Sequence, residues 1–143
     1  MFGGDHILMK ITPNIGLWPG LDADPLHSYL KSLEKVARLA ITMVLPGHRA
    51  SFQNMAGRIA ELRVHHAAHC DECQAAAADG HTAYEICAAV FPRIESVDDV
   101  RLAMVEVLAH LEYLVSEGRL KKEDGQPVRY LRAACGTRPE NGA

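Results

Sequence analysis

Gly4-Asp5-His6-Ile7-Leu8 and Leu45-Pro46-Gly47-His48 are the two stretches that decide the fold of this chain. In each of them a residue type that binds metal ions, Asp5 or His48, lies at a tight turn beside an apolar run. Because α/β folds collect ligands at the ends of their strands, the two residues are predicted to be ligands of one metal site. Taken singly, each is more often an ordinary turn residue, so the hypothesis depends on the pair.

The segment between the two stretches has a helical pattern. Pro25 suits the first turn of a helix, and Asp24 is the predicted N-cap. Apolar residues then recur at helical spacing as far as Ala40. A short strand is predicted on either side, over residues 6–11 and over residues 41–45. The second is predicted to be fully buried, because its apolar residues are continuous and include β-branched ones.

The second half of the chain is predicted to be mainly helical. A long helix is predicted over 54–78 and ends at Asp79-Gly80. A second helix begins at the capping box of Thr82 and Glu85 and continues through Val90, and a third is predicted over 97–117. A hairpin of 119–122 and 128–132 follows. The core faces are predicted to be Met55, Ile59, Leu62, His66, Cys73 and Ala77 on the first helix and Val97, Val100, Met104, Val107, Leu111 and Leu114 on the third. The order helix, helix, hairpin is typical of a winged-helix domain.

The composition is that of an ordinary globular protein. The chain has 143 residues, 48% of them hydrophobic, which is enough for one domain or two very small ones. A formal net charge of −3 argues against a general polyanion binder. No apolar run is long enough to span a membrane, and no signal peptide is recognisable at the start. The four cysteines are therefore expected to be reduced thiols of a cytoplasmic protein.

The chain resembles the second half of the metallo-β-lactamase superfamily. The resemblance is carried by GDHIL (4–8), PNIGLWPG (13–20), DPLHSYLKSLEKV (24–36) and VLPGH (44–48), and it extends to about Arg132. The most similar subgroup contains the hydroxyacylglutathione-hydrolase-like and endoribonuclease-like members. The resemblance implies an α/β remnant of the αββα sandwich over residues 1–53, a connecting helix over 54–80, an α+β winged-helix domain over 81–132 and a loose tail over 133–143.

The resemblance also implies a metal-dependent hydrolase acting on a small-molecule ester, thioester, amide or phosphodiester. In the family the aspartate of GD bridges two metal ions, usually zinc, and the histidine of PGH binds the second. These roles correspond to Asp5 and His48 only, and Asp and His also suit iron or manganese. No catalytic residue besides the metal ligands is assigned.

The chain departs from the family at its ligand set. The HxHxDH motif is absent, and no room exists before Gly4 for the family's further lone histidine, so the chain is expected to begin inside the parent fold as a truncated fragment. Arg49 replaces a small residue after PGH. Because a catalytic zinc normally has three protein ligands and a water, the chain alone is predicted to be inactive. Residues 1–48 are expected to be poorly ordered alone or to form a homodimer.

Two further groups of residues have alternative interpretations. His65, His66, His69, Cys70 and Cys73 lie on one helix, and packing in the core is favoured over a native metal site. The hairpin, or wing, is basic through Arg119, Lys121, Lys122, Arg129 and Arg132. These residues could make weak RNA contacts through phosphates, which gives a nucleic-acid-binding module as the alternative function. Solvated surface charge is the favoured interpretation of the wing.

Overall fold

The structure, a computed structural model, describes residues 1–77, 80–94 and 96–133. Its elements in chain order are β1 (Phe2–Gly4), α1 (Pro25–Ala37), β2 (Leu45–Pro46), α2 (Met55–Ala76), α3 (Ala83–Val90), α4 (Val97–Ser116), β3 (Leu120–Glu123) and β4 (Arg129–Arg132). The predicted loose tail, except for Ala133, lies outside the described residues, as do Cys135 and Asp79 of the predicted helix stop.

Helix α1 begins where the sequence predicts it. The Asp24 side chain accepts a hydrogen bond from the backbone N–H of His27 at 3.1 Å, and Pro25 occupies the first helical position. The helix ends at Ala37, before Ala40. Its buried residues are Leu26, Tyr29 and Leu33, which form one face against α2 and α4.

The first strand lies elsewhere than predicted. The strand predicted over residues 6–11 is wrong: β1 is Phe2–Gly4, and the backbone N–H of His6 donates to the carbonyl of Gly3 at 3.0 Å to close a turn after it. Ile7 is nevertheless fully buried. The apolar run is therefore a turn that sends side chains into the core, and the local pattern does not distinguish this from a strand.

The fully buried strand predicted over residues 41–45 is also wrong. β2 contains only Leu45–Pro46, although Val44 pairs separately with Phe52. Val44 is buried, whereas Met43 is 44% exposed. The cause is that β2 pairs in parallel with β1 alone, in a sheet of two strands within the described part of the chain.

The helices and the hairpin of the second half agree with the sequence predictions. Thr82 and Glu85 form the predicted capping box at the start of α3, and Gly118 ends α4 with a φ of 70°. β3 and β4 pair antiparallel. The predicted core residues of α2 are all buried, whereas on α4 Val97 is 85% exposed and Val100 and Met104 are only partly buried.

A single hydrophobic cluster joins both halves of the chain. It contains Ile7, Leu33, Leu62 and Leu111, among others, and continues to Tyr130 in the hairpin. Helix α4 contacts α1, α2, α3 and β3, so it is the central element of the packing. Over the residues that the structure describes, no helix combines the length and apolar character needed to cross a membrane.

Candidate metal centre

The turns after β1 and β2 bring Asp5 and His48 together. The carboxyl ends of parallel strands lie at the same edge of a sheet, and here the N–H of Gly47 donates to the carbonyl of Gly4 at 2.7 Å. His48 Nε2 is 3.3 Å from Asp5 Oδ1. The two side chains are 65% and 69% exposed, so both are accessible to a ligand.

Gly47 is required for this approach. A Cβ atom at position 47 would lie 2.7 Å from Asp5 Oδ1, a distance that real Cβ contacts do not reach. The next residue but one, Arg49, has a φ of 68°, in the left-handed region that favours glycine. The loop therefore keeps a conformation that suits the small residue expected after Pro-Gly-His, although an arginine is present.

A pocket adjoins the pair and is named here the Asp5 pocket. Its volume is about 420 Å³. Its lining residues are Asp5, His6, Leu8, Ile11, Thr12, Pro13, Asn14, Ile15, Tyr29 and His48. A concavity that combines apolar walls with several polar groups is typical of a site for a small organic molecule.

His6 is a pocket residue that the sequence analysis missed. Its ring Nε2 lies 2.5 Å from Ser32 Oγ, and its backbone carbonyl accepts a hydrogen bond from the Tyr29 hydroxyl at 3.0 Å. Burial lowers the pKa of His6, so the imidazole is neutral at pH 7. The available signal was its position directly after Asp5, in a stretch interpreted as the start of a strand.

The donor set fits one part of a metal site. A carboxylate oxygen and an imidazole nitrogen are both good zinc ligands, and they converge on one exposed point beside the pocket. Over residues 1–77, 80–94 and 96–133, no group of three or more His, Cys, Asp or Glu side chains is placed to hold a metal ion. The described residues therefore bring together two candidate ligands, which is fewer than a metal site needs.

His66, Cys70 and Cys73 of the histidine and cysteine cluster of α2 are part of the core, whereas His65 is exposed. His66 and Cys73 are almost completely buried, and His66 pairs with His110 of α4. Burial raises the pKa of Cys70 and of Cys73 to about 12, so both remain protonated thiols. This geometry agrees with the packing interpretation of the cluster.

The cations of the wing have partners within the chain. The contacts are Arg119 with Asp71 at 2.7 Å, Lys122 with Glu112 at 2.7 Å, Arg129 with the carbonyl of Gly80 at 2.8 Å and Arg132 with the carbonyl of Gln74 at 3.3 Å. Of the five predicted nucleic-acid contacts, Lys121 is the one for which the described residues show no such contact. RNA binding by the wing stays a prediction.

Comparisons with known proteins place this geometry in a family. The family described as Metallo-beta-lactamase-like, C-terminal domain, matches residues 70–140. A beta-lactamase domain protein from Burkholderia ambifaria has a similar structure, with a TM-score of 0.84 and 35% identity over 92% of this chain. A metallo-beta-lactamase family protein from Thermus thermophilus has a TM-score of 0.80 and 37% identity over 92% of this chain. No curated protein is similar enough to count as a match.

The chain spans 41% of the length of each of these two solved structures. The structural agreement extends over 92% of this chain in both cases. The chain belongs to the metallo-β-lactamase superfamily.

Proposed function

We propose that this chain is the C-terminal portion of a metal-dependent hydrolase that holds two zinc ions and acts on an ester, thioester or phosphodiester. The observation that carries the proposal is the 3.3 Å approach of His48 Nε2 to Asp5 Oδ1 at the wall of the Asp5 pocket. Membership of the superfamily supports a hydrolase; the metal and the substrate class are our proposal.

Each ligand has a distinct role in this site. The Asp5 carboxylate has two oxygens and one negative charge, so it can bridge two cations and offset part of their charge. His48 would hold the second cation through a ring nitrogen. When bound, the zinc ions lower the pKa of water and polarise the scissile carbonyl or phosphoryl group. The pocket holds the substrate beside these ligands.

The described residues supply two candidate ligands, and we propose that the remaining ligands come from another part of the protein. Two protein ligands are fewer than the three that catalytic zinc sites use, so the chain alone is proposed to be inactive. The sheet edge is consistent with a missing neighbour. Phe2 on β1 is 87% exposed, and Met43 and Leu45 beside it are 44% and 39% exposed. Exposed apolar side chains at an open strand edge are typical of a surface that another segment covers.

We also propose that residues 81–132 form a winged-helix domain that follows the connecting helix. The order of α3, α4 and the β3–β4 hairpin supports this assignment. The domain packs against α1 and α2 through α4, and Asn14 of the Asp5 pocket donates to the carbonyl of Leu102 on α4 at 3.3 Å, so we propose that the domain supports the pocket wall. The geometry does not favour nucleic-acid binding, since four of the five wing cations have partners within the chain.

Manganese provides a test of the two ligands in the isolated chain, because its paramagnetism broadens NMR signals even at weak sites. We expect added Mn²⁺ to broaden backbone amide signals around Asp5 and His48, and added zinc to reverse the effect. The Asp5→Asn and His48→Gln variants should lose the broadening. The His65→Gln variant, which changes an exposed histidine on α2, is the matched control. Broadening centred elsewhere contradicts the site.

Reconstitution tests the activity. The part of the Burkholderia ambifaria protein that this chain does not span would be expressed separately and mixed with the chain and zinc. We expect hydrolysis of a thioester or a phosphodiester by the mixture, none by the chain alone, and none by a mixture that carries Asp5→Asn. Robust turnover by the isolated chain contradicts the proposal that it is incomplete.

A further inference from the structure

We propose that the Asp5 pocket binds the uncharged, apolar acyl group of an ester or thioester, and that Arg58 of α2 holds the apolar wall of this pocket in place. The inference rests on the proposed function and deepens it, because it selects esters and thioesters over phosphodiesters. It also gives a role to Arg58, which is 50 residues away in sequence from Leu8, one of its two backbone partners in the wall.

The apolar wall lies within one short stretch of chain that follows Asp5. Its members among the lining residues are Leu8, Ile11, Pro13 and Ile15. The pocket volume of about 420 Å³ is in the usual range for sites that bind small organic molecules. An acyl group whose carbonyl lies beside Asp5 can extend along this wall, and each methylene that leaves water there strengthens binding.

The charges of the lining residues do not suit a nucleic acid. Within the described part of the chain, no lysine or arginine lines the Asp5 pocket, although Lys10 and Arg49 are neighbours of lining residues in the sequence. A nucleic acid has a further phosphate on each side of the one that is cut, and proteins bind such phosphates mainly with cationic side chains. An uncharged acyl group needs no cationic partner along the wall.

Arg58 fixes the loop that carries the first part of the apolar wall. Its Nε donates to the carbonyl of Leu8 at 2.7 Å, and its Nη2 donates to the carbonyl of Ile11 at 3.0 Å. Its Nη1 donates to Glu61 at 2.9 Å, and the Arg58 side chain is only 11% exposed. A planar guanidinium can bond two carbonyls at once, whereas the single ammonium of a lysine does not match that geometry. Arg58 is therefore a positioning residue, which acts on a substrate through the wall.

Helix α4 holds the other end of the apolar wall. The side-chain amide of Asn14 donates to Glu106 Oε2 at 2.9 Å, and the backbone N–H of Leu17 donates to the carbonyl of Val105 at 2.9 Å. Gly16 is so close to this helix that a Cβ atom at position 16 would lie 2.7 Å from Val105 Cγ2. Because both ends of the wall are attached to helices, the pocket is formed before a substrate binds, which avoids the cost of ordering it.

NMR titrations of the full chain without added metal test the choice of substrate class. The neutral probes are acetamide, butanamide and hexanamide, and the anionic probe is a tetranucleotide of uridine. We expect the amides to shift the methyl signals of Ile11 and Ile15, with a dissociation constant that falls about fourfold for each methylene that enters the pocket. The tetranucleotide should leave both signals unchanged. Equal affinity for acetamide and hexanamide, or tighter binding of the tetranucleotide at these signals, overturns the inference.

A first pair of variants separates the pocket from nonspecific apolar binding. Ile11→Asp places a carboxylate in the apolar wall at a position that is 42% exposed, and it should abolish the preference for hexanamide over acetamide. Leu39→Asp makes the same kind of change at a position that is 55% exposed and does not line the pocket, so it should leave the preference intact. Equal effects of the two substitutions contradict binding in the Asp5 pocket.

A second pair tests the role of Arg58. Arg58→Lys keeps the charge but cannot bond both wall carbonyls, so it should lose most of the preference for hexanamide while the amides of α3 keep their protection from hydrogen exchange. Arg63→Lys, at a half-exposed arginine of the same helix, should keep the preference. An unchanged preference in Arg58→Lys contradicts the positioning role. The manganese experiment uses no acyl probe and reports on Asp5 and His48 alone, so the metal site and the acyl site can fail separately.

Discussion

His66 Nδ1 donates a hydrogen bond to His110 Nε2 across 3.2 Å, inside the core between α2 and α4. The direction follows from the other nitrogen of His110, which lies 2.8 Å from the carbonyl of Glu106 and must donate to it. A neutral His110 can then only accept at Nε2. His66 Nε2 is left buried without a hydrogen-bond partner among the described residues, so neither ring can gain a proton without cost.

This pair predicts that acid destabilises the protein. Burial lowers the pKa of His66 to about 3 and that of His110 to about 4, whereas both return to about 6.5 on unfolding. Below pH 6.5 the unfolded state therefore binds more protons than the folded state. The contribution of the pair to the unfolding free energy is fully present above pH 6.5, and it is lost as the pH falls towards the folded-state pKa values of about 4 and about 3. Urea unfolding at pH 7.5, 6 and 5 should show a decrease of about 1.4 kcal/mol per pH unit for each histidine that charges on unfolding.

The control for the acid effect is a histidine outside the core. His65→Gln, at an exposed position of the same helix, should leave the slope of stability against pH nearly unchanged. His110→Gln keeps a polar side chain but cannot titrate, so it should flatten the slope even if it lowers stability at pH 7.5. A slope that is the same in His110→Gln and in the unaltered chain contradicts the assignment.

Gly47→Ala should reduce metal binding strongly and the thermal stability of the chain only slightly. The added Cβ would meet Asp5 Oδ1 at 2.7 Å and push the carboxylate away from His48. We expect the manganese broadening at Asp5 and His48 to decrease several-fold while the thermal midpoint changes little, because the turn is at the surface. Gly125→Ala is the matched control, since its nearest contact is the carbonyl of Pro127 at 3.4 Å; it should leave the broadening intact.

Leu62→Ala should cost about 2–5 kcal/mol of unfolding free energy, because Leu62 is fully buried and its loss leaves a cavity. Val64→Ala, two residues further along α2 at a position that is 69% exposed, should change the unfolding free energy by less than about 0.5 kcal/mol. Denaturant titrations of both variants provide the measurement. Similar costs for the two substitutions would show that the face of α2 is misassigned.

Tyr29→Phe should loosen the turn that carries Asp5. The substitution keeps the ring and removes the hydroxyl that donates to the His6 carbonyl, at a cost of about 1 kcal/mol. Hydrogen exchange should become faster at the backbone amides of His6 and Ile7, while the amides of α3 keep their protection. Equal acceleration in both regions would indicate a global loss of stability and contradict a local effect.

The sequence by itself determined the helices and the hairpin, and it pointed to Asp5 and His48 as candidate metal ligands. The caps at Asp24 and Thr82, the end at Gly118 and the periodicity of α2 and α4 are local signals. Each of these signals depends on interactions between residues a few positions apart, so a short stretch of sequence is enough to predict the element. Asp5 and His48 could be proposed as metal ligands because family motifs are also short, local stretches of sequence.

Only the tertiary structure decided where β1 lies and which side chains meet. The run after Asp5 has the composition of a strand, yet it forms a turn because Ile7 enters a core supplied by distant helices. The 3.3 Å approach of Asp5 to His48, the contact of His6 with Ser32 and the pairing of His66 with His110 all join segments far apart in sequence. Such contacts depend on how whole helices and strands pack together, so a local sequence pattern does not predict them.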